Sequence, residues 1–105
     1  MSDYDDYEAQ IREGKAIIVD YIQKERADYT RKINAMDWGR SPEDFDAGLY
    51  ALVLLRGNQR YLIKFHESDL ADAPNDIGIR HKLRQQVDKF FQTFLEGVGN
   101  AGGPS

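Results

Sequence analysis

Two runs of alternating residues, Leu49–Arg56 and Gln59–Phe65, meet at the dipeptide Gly57-Asn58. A glycine-containing pair between two strand-like runs is a strong signal for a tight two-residue hairpin. Pairing Tyr50 with Phe65 and stepping toward the turn divides the side chains cleanly. One face carries Tyr50, Leu52, Leu54, Tyr61, Ile63 and Phe65, all apolar or aromatic, and the other carries Ala51, Val53, Leu55, Arg60, Leu62 and Lys64. A two-stranded hairpin is marginal in water on its own, so the rest of the chain has to cover it.

A helix competes for part of this segment. Ser41-Pro42-Glu43-Asp44 is a helix start, with serine as N-cap, proline at the first position and acids in the first turn. Running on to Arg56, that helix would carry Phe45, Leu49, Leu52 and Val53 as its stripe. It would also hold Gly48 in its interior, at a cost of about 1 kcal/mol. The preferred reading is a short helix that stops at Gly48, followed by the hairpin.

The flanks read as helices. Tyr4, Tyr7, Ile11, Ile18, Ile22, Tyr29, Ile33 and Met36 recur at helical spacing, and Gly14 is the weak point of the same stripe, so residues 1–14 can fray. Ser2 or Asp3 caps this helix, and Asp3, Asp5, Asp6 and Glu8 suit its dipole. Met36-Asp37-Trp38-Gly39-Arg40 ends it, with Gly39 as the stop. His66 to Asp76 reads as a polar loop broken by Pro74. Asn75 or Asp76 caps the last helix, whose stripe is Ile79, Leu83, Val87, Phe90, Phe91, Phe94 and Leu95 before Gly97 stops it. The expected fold is α+β in the order α-β-β-α, one globular domain over 1–96, with a disordered tail over 97–105.

Composition narrows the function classes. With 105 residues the chain makes one small domain with a limited core. It has no cysteine, so no disulfide framework, thiol nucleophile or thiolate metal site, which fits a reducing, cytoplasmic setting. The acidic start is unlike a secretory signal, and the longest apolar run, Leu49 to Leu55, is far too short to span a membrane. Net charge is −4, with the acid concentrated in the first half. That is not the footprint of a general nucleic-acid binder.

No catalytic constellation emerges. His66, Glu67, Asp69, Asp72 and His81 lack a recognised ligand spacing, and Ser41 and Ser68 lack an activating motif. Gly97-x-Gly99 is not set between a strand and a helix, so no phosphate loop or cofactor motif is present. The expected protein is therefore not an enzyme and carries no metal or cofactor.

Two surface features remain. Arg80, Lys82 and Arg84 crowd the start of the last helix, and Arg60 and Lys64 on the hairpin could extend them into an anion or nucleic-acid contact. The second hairpin face, with Val53, Leu55 and Leu62, is apolar and both strands are edges. Ile18, Ile22 and Tyr29 on the long helix add further apolar area. A second copy would cover these surfaces by sheet extension or helix packing. The expected function is a small homodimeric protein-interaction or regulatory module, with a dimeric nucleic-acid binder as the alternative.

Overall fold

The computed structural model describes residues 3–96. The tail expected to be disordered, Gly97 as a helix stop, and Ser2 as a cap lie outside the described residues. The elements are α1 (Asp3–Glu25), a four-residue α2 (Ala27–Thr30), β1 (Ala35–Gly39), α3 (Pro42–Ala47), β2 (Leu49–Arg56) and β3 (Gln59–His66). They are followed by α4 (Glu67–Asp72), a 3-10 turn (Ala73–Asn75) and α5 (Ile77–Phe90), which ends in a wider π-helical turn (Phe91–Glu96). The class is α+β.

The hairpin forms in the expected register, Tyr50 opposite Phe65 and Leu54 opposite Tyr61. Gly57 at φ 60° opens the turn while Asn58 keeps a negative φ, the pattern of a type II′ hairpin. The short helix from Ser41 stops where expected. Ser41 Oγ accepts the Asp44 N–H at 3.0 Å, and Asp44 Oδ2 accepts the Ser41 N–H at 3.1 Å. This reciprocal box satisfies two otherwise unpaired donors. Gly48 then closes the helix in the left-handed conformation, φ 71°.

Four expectations are corrected. The sheet has three strands in the order β1-β2-β3, not two, so the element order is not α-β-β-α. Ala35–Gly39, taken from the sequence as the end of the long helix, is an antiparallel strand paired from Ala35↔Leu55 to Gly39↔Ala51. Met36 satisfies both periods: it continues the helical stripe, yet with Trp38, two residues on, it joins the sheet's apolar face. The pairing with β2 decides between the two. The long helix breaks at Arg26, which leaves helical geometry at φ −127°, ψ 39°.

The segment 66–76 is not a loop. Glu67 and Asp69 are part-buried in ion pairs with Arg40 and Lys82, Asp72 is exposed, and Leu70, Ala71 and Ala73 are buried.

Helices α1, α4 and α5 pack on one face of the sheet. Ile11, Ile18 and Ile22 of α1 join Leu52, Leu54, Ile63 and Phe65 of the sheet, Leu70 of α4 and Leu83, Val87 and Phe91 of the last helix in one core. Tyr29 stacks on Phe91 with ring centroids 4.7 Å apart, and Trp38 lies 5.8 Å from Phe65. Gly14 is where α1 and α4 cross. A Cβ there would sit 2.0 Å from the Leu70 carbonyl oxygen, so the two helices approach this closely because residue 14 has no side chain.

Candidate functional site

The second face of the sheet is only partly covered. Helix α3 lies over one end, where Ala51 is buried and Lys64 Nζ reaches the buried Asp44 Oδ1 at 2.5 Å. Beyond α3 the face is open. Val53 stands directly opposite Leu62, with Leu55 and Arg60 as the next pair toward the turn. Leu55 and Leu62 are 39% and 40% exposed, unusual for leucines in the middle of a sheet. From Leu62 the apolar surface continues round the β3 margin into a shallow groove against Phe90 and Phe94.

The margins of the sheet are less open than the sequence implies. β2 is the central strand, so only β1 and β3 are edges. On β1 the Trp38 N–H is taken by the neighbouring Asp37 carboxylate at 2.8 Å. On β3 the Lys64 carbonyl accepts Gln86 Nε2 at 2.6 Å. Side-chain caps of this kind blunt edges against strand addition. An antiparallel β3–β3 pairing centred on Leu62 would also set Arg60 against Lys64 of the other copy on one face, a repulsive pair. Face-to-face packing remains open.

Ile18 and Ile22, expected on the sequence to serve self-association, are instead spent on the chain's own core at 1% and 0% exposure. Tyr29 is half-buried against Phe91. Of the expected self-association residues, Val53, Leu55 and Leu62 are those that lie on the uncovered face.

The five basic residues do not form one patch. Lys64 is held by Asp44, and Lys82 Nζ meets Asp69 at 2.9 Å. Arg60 is exposed near the hairpin turn. Arg80 and Arg84, one helical turn apart, line a groove between α5 and α1 together with Tyr21 and Lys24.

Next to that groove lies a network that sequence reasoning missed. Arg26 holds Asp88 in a two-pronged pair, Nε to Oδ1 at 2.8 Å and Nη2 to Oδ2 at 2.9 Å. Tyr21 Oη donates to both Asp88 oxygens at 2.8 and 2.9 Å. Burial alone would raise the Asp88 carboxyl, but the hydrogen bonds from Arg26 and Tyr21 outweigh it and hold the pKa below the usual range. Burial and the adjacent carboxylate push the Tyr21 phenol up. The Asp44 carboxyl is held down by Lys64 and by the Ser41 N–H.

Lys15 is half-buried with its ammonium 3.9 Å from the Tyr50 ring centre. Burial, then Arg40 and Arg12, lower its pKa.

The histidines and acids considered as metal ligands are dispersed. His66 and His81 are exposed, Glu67 pairs with Arg40 and Asp69 with Lys82. Among the described residues no three His, Asp or Glu side chains converge. No helix of the described residues is long and apolar enough to cross a membrane.

No protein-family model, curated protein or solved structure matches this chain.

Proposed function

We propose that this protein is a small non-enzymatic interaction module that works as a homodimer, two copies packing their open sheet faces together. The observation that carries this reading is the uncovered cluster of Val53, Leu55 and Leu62, with two leucines about two-fifths exposed in a chain of limited core. Apolar area is the main driving force for association. The occupant is a second copy because the face is self-complementary in charge. Asp37 stands on the β1 margin and Arg60 on the β3 margin of the same face. A two-fold axis parallel to the strands lays the β1 margin of one copy over the β3 margin of the other, acid against base. The patch is small, which fits reversible association in the micromolar range rather than an obligate dimer.

Sedimentation velocity across micromolar concentrations tests this. The wild-type chain is expected to shift from monomer to dimer. Leu62→Asp, which places a charge at the centre of the patch, is expected to stay monomeric with an unchanged circular dichroism spectrum. A wild-type chain that is monomeric throughout this range overturns the reading.

A further inference from the structure

The groove between α1 and α5 holds an electrostatic imbalance that the fold does not resolve. Arg80 and Arg84 face it as i, i+4 neighbours, a spacing at which like charges repel. Both are partly buried. The Nε of each is shielded from solvent and has no hydrogen-bond acceptor among the described residues. Among the described residues neither has a carboxylate within ion-pair distance. The nearest carboxylate chemistry is already engaged: Asp88 by Arg26 and Tyr21, Asp20 by Lys24 at 3.1 Å. Glu25, at the exposed rim, is the one remaining acid lining the groove.

The floor is the Tyr21 ring, with the Arg84 guanidinium 5.4 Å from its centre. Leaving a buried donor without an acceptor is destabilising, and two neighbouring guanidiniums double that cost. An incoming oxyanion would relieve both the repulsion and the missing acceptors.

We propose that this groove binds a phosphate group, as a small phosphate monoester or as free phosphate. Two guanidinium forks require more acceptor oxygens than a single carboxylate offers, and a tetrahedral phosphate presents them in several directions. The groove volume of about 270 Å³ lies just below the range of drug-sized ligand pockets, which suits a small anion. Lys24 at the rim supplies a third positive charge when it turns from Asp20. The site is independent of the sheet face argued above, since it lies on the helical layer.

The test is a titration of the folded chain with inorganic phosphate and with phenyl phosphate, read by amide NMR shifts at fixed ionic strength. Saturable shifts are expected in residues 17–25 and 77–88. Tighter binding of phenyl phosphate assigns a monoester, and tighter binding of inorganic phosphate assigns the free ion; either supports the site. In Arg80→Gln/Arg84→Gln the affinity is expected to fall at least tenfold, while Arg31→Gln, at a solvent-exposed position outside the groove, leaves it unchanged. In phosphate-free buffer the double variant is expected to melt no lower than wild type, because it removes a repulsive pair. Unsaturable shifts, or shifts matched by chloride, overturn the proposal. So does a folded double variant that binds as well as wild type. The wild-type mapping decides the question if the variant does not fold.

Discussion

Replacing glycine by alanine inside a helix ordinarily stabilises it, by roughly 0.5–1 kcal/mol. Gly14→Ala is expected to do the opposite. The new methyl carbon would lie 2.0 Å from the Leu70 carbonyl oxygen, 2.7 Å from its carbon and 2.9 Å from its Cα. All three are backbone atoms, so no side-chain rotation relieves the clash. Helix α4 would have to retreat by more than an ångström, and it carries Leu70 and Ala71 into the core, with Ala73 directly after. Overpacking of this kind costs typically about 1–3 kcal/mol, occasionally more. After the propensity gain, a net loss of roughly 1–2 kcal/mol remains. For a domain of this size that lowers Tm by roughly 5–15 °C.

Urea and thermal unfolding followed by far-ultraviolet circular dichroism measure it. Ala16→Gly, at an exposed position of the same helix, is the control and is expected to lose about 1 kcal/mol through propensity alone. If Gly14→Ala is as stable as wild type or more so, α1 and α4 do not cross at this residue.

The hairpin register predicts sharply different costs for neighbouring leucines. Leu54→Ala, fully buried, should lose about 2–5 kcal/mol, and Leu55→Ala on the open face less than about 1 kcal/mol, in the same denaturation assay. Equal costs would refute the register. Tyr21→Phe removes the phenol's hydrogen bonds to Asp88 and should lower stability by about 1 kcal/mol at neutral pH, a half-exposed share of what such bonds to a charged group contribute. The folded Asp88 carboxyl titrates below its unfolded value. Its contribution is therefore present above the ordinary carboxylate range and lost as pH falls through the folded pKa. The same sign holds for Asp44: Asp44→Asn should lower Tm at neutral pH, and its gap from wild type should narrow as acid protonates the wild-type carboxyl. A gap independent of pH would show that Lys64 does not stabilise the ionised form.

The elements that could be read from the sequence are those settled by near neighbours. Ser41, Pro42 and Asp44 cap α3 within one turn, and Gly57 supplies the positive φ that the hairpin requires beside it. The partition of Val53, Leu55 and Leu62 onto one face followed from alternation alone. β1 could not be read this way, because Met36 ends a helical stripe that runs unbroken from Tyr29 and Ile33. What selects the strand is pairing with residues 51–55, across a helix and a turn. Helix α4 was hidden by its polarity: only Leu70 and Ala71 face inward, and the space they need comes from Gly14, far back in the chain. That glycine appeared in the sequence as a flaw in α1, but it is the contact that lets α4 pack.

Chain separation also explains what sequence reading missed around the groove. Tyr21 and Arg26 meet Asp88 across 67 and 62 residues, which no local pattern anticipates. The basic run 80–84 shows the reverse error, in which nearness along the chain implied a shared surface. At about 100° per residue, Lys82 lies on the far side of α5 from Arg80 and Arg84, and it reaches Asp69 instead. Helical geometry alone separates the two arginines from the lysine. Only the tertiary packing leaves those two without a counter-charge among the described residues, and that uncompensated pair, rather than the basic run itself, is what points to an anion.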